Sequence, residues 1–280
     1  MKPSEPSRTA LLIARQRAAH QLLDDGSILY DPFAMKILCE DEKEVLGFAN
    51  AHPLASIGRL FTAARSRIAE DALSEAVAGG VRQIVVLGAG LDTFGLRNPH
   101  GARQLRVYEV DHPATQAWKR QRLAEAQLAV PAGLVFVPVD FEQDNLGEQL
   151  AGAGFQQNSP AFFTWLGVVP YLTRKAIVST LDYISSVQDS EVVFDYMEST
   201  QAFSKEMGEL VAKRTEQLEK VGERWASHFE PTDMGEVLRS RGFSEIEDIA
   251  FQEIRSRFGL AVQGLAPGHD AGLHVVHAKR

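Results

Sequence analysis

The spacing of apolar positions changes character near residue 80. Before it, Ala10, Ile13, Ala14 and Arg17 recur on one face of a helix running from Ser7 to about Leu23, and DDGS at 24–27 supplies a stop. In YDPFAMKILCEDEKEVLGFA, Pro32 stands at a first helical position after Asp31, and an Ala-rich helical pattern over 57–78 ends at Gly79-Gly80. After Gly80 come short apolar runs: QIVVLG (83–88), LRVYEV (105–110), LVFVPV (134–139), AFFTWLG (161–167) and EVVFDY (191–196). Their Val, Phe and Tyr content predicts parallel strands buried on both faces. HPATQAWKRQRLAEAQL and TRKAIVSTLDYISSV, lying between them, are long enough to be crossover helices. The expected architecture is therefore α/β, a βαβ series forming a doubly wound, mostly parallel sheet. Residues 200–226 read as a charged helical insertion after strand five, and PTDMGEVLRSRGF as a helix closed by Gly242. EIEDIAF (245–251) and GLHVVHAK (272–279) read as two late strands in a terminal antiparallel hairpin. This divides the chain into an N-terminal helical extension, 1–80, and a core, 81–280, that carries the 200–226 insertion.

A composition of 45% hydrophobic and 24% charged residues suits a globular chain with a sizeable core. The net charge of -8 argues against a polyanionic partner, so no nucleic acid is expected. Cys39 is the only cysteine, which excludes an intrachain disulfide and a cysteine-based metal cluster and suits a reducing, cytoplasmic setting. The apolar run between Arg8 and Arg15 is too short for a signal-peptide core or a membrane span, so no membrane partner is expected. His274 and His277 stand at odd spacing on a strand and face opposite ways, and the remaining histidines are scattered; no metal site is expected.

VVLGAGLDT (85–93) is the stretch most charged with chemistry. In Gly88-Ala89-Gly90 the missing side chains let backbone approach a ligand closely at the end of the first strand. A dinucleotide fingerprint asks for a third glycine three residues after Gly90, and Thr93 stands there instead. Asp92 adds a carboxylate where a pyrophosphate would lie, so the turn suits a cationic or zwitterionic ligand such as S-adenosylmethionine. Glu109 and Asp111, about 20 residues on, are placed to accept hydrogen bonds from ribose hydroxyls of either ligand. After the third strand, Asp140 could take an adenine amino group and Phe141 could lie against the ring.

Taken together, AARSRIAEDAL, VVLGAGLDT, YEVDHPATQAWKRQRL, VDF and WLGVVPYLT resemble the leucine carboxyl methyltransferase family, in particular its bacterial S-adenosylmethionine-dependent O-methyltransferase group; SRTALLIARQRAAH and DPFA extend the likeness towards the start of the chain. The resemblance implies a seven-stranded sheet of the class I methyltransferase type. It also implies that S-adenosylmethionine is held by Arg65, gripping the methionine carboxylate, by Gly88 and Gly90 of the turn, by Asp111 on the ribose, and by Asp140 and Phe141 at the adenine. One position departs from the family: where it carries glutamate, in WEGV or AECV, this chain reads Trp165-Leu166-Gly167-Val168, and Leu166 accepts no hydrogen bond.

Tyr171 and Tyr196 follow strands four and five at the edge where an acceptor would bind, and are the candidate substrate-binding residues. Arg8, Arg15 and Arg17 could cover the crevice and attract an acidic acceptor, or could be solvated arginines on packing helices. The expected activity is O-methylation of a carboxylate on a small, acidic molecule. A carboxylate is already ionised at neutral pH and needs no general base, so no catalytic residue is assigned. An NAD(P)-dependent oxidoreductase is the alternative in another enzyme class, and the substitution at Leu166 motivates a third reading, a non-catalytic S-adenosylmethionine-binding protein.

Overall fold

The first helix, α1 (Arg8–Leu23), starts where the Ser7 side chain accepts a hydrogen bond from the Ala10 N–H and stops at Asp24, beyond which Asp25 and Gly26 take left-handed backbone. A side-chain cap of this kind contributes about 1 kcal/mol. The computed structural model describes residues 7–50, 55–101, 105–199, 225–260 and 272–280, with Gly208, Glu209, Ala212 and Glu216. The predicted 200–226 insertion therefore lies almost wholly outside the described residues.

Short helices α2 (Ala34–Leu38) and α3 (Glu42–Ala49) follow, the second opened by a reciprocal capping box between Asp41 and Glu44. Pro32 precedes α2 in a turn and does not open the helix. The long α4 (Ala55–Ala78) buries Ala64, Ile68, Ala69 and Leu73 against the sheet. Its small residues allow close approach, and the core it shares with Ile84, Val86, Phe162 and Val193 is continuous with the sheet's own.

The strands are β1 (Gln83–Leu87), β2 (Arg106–Asp111), β3 (Leu134–Pro138), β4 (Phe162–Trp165), β5 (Glu191–Met197), β6 (Glu245–Ala250) and β7 (Leu273–Lys279). Helices α5 (Phe94–Arg97), α6 (Pro113–Glu125), α7 (Leu146–Gly152), α8 (Arg174–Ser186) and α9 (Pro231–Arg239) connect them, with a 3-10 turn at Val169–Tyr171. The order across the sheet is β3-β2-β1-β4-β5-β7-β6. The first five strands are parallel, and β7 runs antiparallel to both β5 and β6. The late strands thus pair antiparallel as expected, but they are not a simple hairpin. Helix α10 (Phe251–Phe258) intervenes, and β7 is inserted between β5 and β6. The order reverses between β1 and β4, which opens a crevice beyond their carboxyl ends.

Period-two alternation sorts side chains between two apolar layers. Val193 of β5 joins the layer under α4, while Val192, Phe194 and Tyr196 join the opposite one. This parity decides which β5 residues can meet α4.

Candidate cofactor site

A cavity of about 680 Å³ occupies the crevice, a size suited to a drug-sized or nucleoside ligand. Its floor is the glycine turn after β1. The N–H groups of Gly88 and Ala89 donate to Val110 O at 2.8 and 3.0 Å, and that of Gly90 to the Asp111 Oδ2 at 2.5 Å, so the turn is fastened to the end of β2. Gly88 has φ +67°, and a Cβ there would lie 2.3 Å from Val168 Cγ2. Gly90 has φ +48° and faces Ala10 of α1, whose Cβ would be 3.0 Å from one built at the glycine. Helix α1 therefore roofs the turn. Both glycines are needed for conformation and for space.

Thr93, where a dinucleotide site would have glycine, is buried, and its hydroxyl donates to Asp31 Oδ2 at 2.5 Å. The close helix-to-sheet packing falls instead to Gly95, where a Cβ would meet Glu109 Oε1 and Leu134 Cδ1, each at 2.8 Å. The signal was present in LDTFG, two positions beyond the one the dinucleotide pattern inspects.

The residues singled out from sequence separate here into those that share the cavity and those that do not. Arg65, Gly88, Gly90, Asp111, Asp140, Phe141 and Tyr171 all line it, as does Leu166. Asp111 accepts from the Gly90 N–H and, at 2.6 Å, from the His112 N–H, and burial pushes its carboxyl above the usual range against the pull of these donors. Asp140 accepts from the Glu142 N–H at 3.0 Å and the Gln143 side-chain amide at 2.8 Å. Glu109 is separated from Asp111: it lies in the interior, salt-bridged to Lys119 at 2.5 Å, and does not line the cavity.

Tyr196 is the correction. It is buried on the sheet face opposite α4, its hydroxyl donates to Asp248 Oδ2 at 2.6 Å, and its ring stacks on His274 at 4.8 Å. It does not line the cavity. Strand parity turned it away, and its place on that edge of β5 is a core place.

Of the N-terminal arginines, Arg15 is committed to Glu40, with its guanidinium at 2.8 Å, and Arg8 is exposed. Arg17 is buried and reaches the cavity, where it donates to Asp92 Oδ2 at 2.7 Å and to the Leu91 carbonyl. It is neither a solvated arginine nor a free anion receptor. Burial alone would lift the Asp92 carboxyl, but Arg17, Lys119, Arg97 and the Phe94 N–H together hold it below the usual carboxylate range. Asp92 is thereby consumed as the clasp between the glycine turn and α1.

At the other side of the crevice Arg65, buried on α4, donates from Nη1 to Asp195 Oδ2 at 2.7 Å. Its Nε is fully occluded and has no hydrogen-bond partner among the described residues. Asp195 on β5 was not flagged by the sequence pattern; in EVVFDY it reads as one polar residue in an apolar strand, which is the trace it leaves. The two histidines of β7 are held apart, His274 by Asp248 and His277 by Glu191. No helix among the described residues is long and apolar enough to cross a membrane.

A sheet of this order with an antiparallel β7 and a crevice at the β1 glycine turn is the class I methyltransferase fold. The chain belongs to the leucine carboxyl methyltransferase family, whose model matches residues 10–185, and with it to the S-adenosylmethionine-dependent methyltransferases. It is 32% identical over 283 residues to YktD of Bacillus subtilis (strain 168), named a "Putative S-adenosyl-L-methionine-dependent methyltransferase", covering 92% of this chain and 93% of that one. A protein of the same description from Mycolicibacterium paratuberculosis is 29% identical, with 97% and 94% covered. Solved structures from Thermobifida fusca YX and Streptomyces avermitilis, the latter of the DUF574 family, share the fold at a TM-score of 0.58 each. Their identities are 16% and 12%, with 99% of this chain covered in both and 96% and 98% of theirs.

Proposed function

We propose that the cavity binds S-adenosylmethionine and that its methyl group passes to a carboxylate oxygen of a small acidic acceptor. The observation that carries the cofactor assignment is the polarity of the crevice. Carboxylates stand at the ends of β2 and β3, and the Arg65 guanidinium, paired with Asp195 of β5, lines the cavity on its other side. From β2 to β5 there are three interstrand steps, about 14 Å at about 4.8 Å each, the reach of a nucleoside with an amino-acid tail. Asp111 is placed to accept from ribose hydroxyls, Asp140 from the adenine amino group, and Phe141 to cover the base. In this reading Arg65 takes the tail carboxylate through a charge-assisted hydrogen bond from its guanidinium. S-adenosylmethionine supplies a methyl group activated by its sulfonium and open to in-line displacement.

The carboxylate acceptor is supported by the family's name and by chemistry. An alcohol or phenol would need a base in the transition state, whereas a carboxylate arrives ionised. Of the cavity carboxylates, Asp92, Asp111 and Asp140 accept structural hydrogen bonds, Glu70 is paired with Arg97, and Glu142 accepts from the Thr173 hydroxyl. What the chain contributes is orientation and exclusion of water, with effective molarities up to about 10⁵–10⁸ M as the scale of the gain. Family membership leaves the nicotinamide reading without support.

The test is transfer of labelled methyl from S-adenosylmethionine to a panel of carboxylic acids, alcohols and phenols. Products that release volatile methanol in base are esters and are expected from the acids. Base-stable products formed only with hydroxyl acceptors would refute the carboxylate reading. Cofactor binding without any transfer across the panel and a cell extract would favour the non-catalytic reading, for which Leu166 is the motive.

A further inference from the structure

We infer that Asp195 is the positioning residue of the cofactor-tail arginine, the carboxylate that β5 supplies beside a β4 position that holds leucine. The inference rests on the proposed role of Arg65. In the sheet Trp165 pairs with Phe194, so Leu166 and Asp195 are the next residues on adjacent parallel strands. The acid that the family resemblance expects at the end of β4 is missing, and one strand over a buried carboxylate is present.

Its two oxygens do different things. Oδ2 accepts from Arg65 Nη1 at 2.7 Å, and Oδ1 accepts from the Gly167 N–H at 2.6 Å. Gly167 has φ +74°, and a Cβ there would lie 2.6 Å from Arg65 Nη2. The guanidinium is therefore gripped at Nη1, while Nη2, beside Gly167, and the occluded Nε have no hydrogen-bond partner among the described residues. A long arginine side chain has much rotamer freedom to lose; here that freedom is lost in the folded protein before any ligand arrives. The same carboxylate fixes the β4 loop, whose next residue, Val168, fills the space over Gly88. One side chain thus sets the tail-binding cation, the β4 loop and the contact of that loop with the glycine turn.

Asp195 itself does not line the cavity, so it acts through Arg65 and not on the ligand. A residue with only a packing role would affect every ligand of the site alike. The distinguishing probes are S-adenosylmethionine and 5′-methylthioadenosine, which keeps the nucleoside and lacks the amino-acid tail. Asp195→Asn removes the charge and retains an oxygen for the Gly167 N–H. In calorimetric titrations it is expected to weaken S-adenosylmethionine at least tenfold and leave 5′-methylthioadenosine within twofold. In an Arg65→Ala background the same substitution is expected to change neither ligand further. Equal loss for both ligands, or no loss for either while Arg65→Ala still selectively weakens S-adenosylmethionine, overturns the inference. If Arg65→Ala leaves the ratio of the two affinities unchanged, it is the arginine's own role that has failed, and the positioning role falls with it. Should Asp195→Asn prevent folding, Asp195→Glu, which keeps the charge and displaces it from Arg65 Nη1, takes its place: selective weakening of S-adenosylmethionine with 5′-methylthioadenosine unchanged supports the inference, and equal loss for both ligands overturns it.

Discussion

Gly88→Ala puts a methyl group into a space that the structure shows to be filled. The backbone there has φ +67°, and the new Cβ would meet Val168 Cγ2 at 2.3 Å. Two costs follow. Holding a non-glycine residue in left-handed backbone costs about 1–2 kcal/mol, and overpacking a tight contact costs about 1–3 kcal/mol. The single variant is expected to lose about 2–5 kcal/mol in all. At about 2 °C per kcal/mol, the lower end for domains of 150–250 residues, that is a fall in melting temperature of about 4–10 °C. The two costs can be pulled apart, because only the second depends on Val168. Val168→Ala removes the clashing methyl and by itself forfeits up to about 1–2 kcal/mol of half-buried apolar surface. In the double variant the overpacking cost disappears while the backbone cost stays. A cycle of melting or urea-denaturation measurements should therefore show a coupling of about 1–3 kcal/mol in the stabilising direction. Additivity to within about 0.5 kcal/mol, the behaviour of independent sites, would falsify the contact between the β4 loop and the glycine turn on which the site geometry rests.

Two further outcomes follow from the charges at the site. Arg17→Met removes the one cation that Asp92 touches and is expected to destabilise by about 3 kcal/mol, the lower end for breaking a buried pair because Asp92 keeps some exposure and Lys119 and Arg97 still act on it. Because the Asp92 carboxyl lies below its usual range when folded, its contribution is present above about pH 4 and is lost as pH falls through the folded value. Urea titrations should show a shallower loss of stability below about pH 4 in Arg17→Met than in the unaltered chain; parallel acid limbs would refute the clasp. Asp111 shifts the other way, lifted by burial, and only its ionised form accepts two hydroxyls. Affinity for S-adenosylmethionine is therefore expected to fall on acidification at a pH above the ordinary carboxylate midpoint of about 4. Asp111→Asn should bind weakly at every pH, and an equally steep pH profile in that variant would assign the titration to another group.

Strand positions were legible because both faces of this sheet are covered, so β1 is buried along its whole length and stands out from the polar sequence around it. The same uniformity hides facing. Asp195 and Tyr196 are neighbours in EVVFDY, and nothing in that string says which one looks towards α4; the structure gives the arginine to Asp195 and sends Tyr196 to Asp248. Residues that line the crevice from strand ends, Asp111 and Asp140, were readable because the topology fixes where a strand ends. Arg17 and Asp92 were visible only as charges, since their pairing spans 75 residues and depends on how α1 lies across the turn. Helix α10 escaped because FQEIRSRF follows β6 with no turn between them.

The insertion of β7 between β5 and β6 has a consequence for the order in which the molecule can be assembled during synthesis. Among the described residues β6 pairs with β7 alone, and the open edge of β5 is covered by β7 as well. A ribosome delivering this chain from its N-terminal end releases the five parallel strands first, with β5 as a bare edge, and then β6 with nothing to join. Both edges stay unpaired until Leu273–Lys279 has emerged. Exposed edges of this kind recruit other chains. The nascent protein is therefore most vulnerable to association in the interval after β6 has emerged and before β7 has followed it.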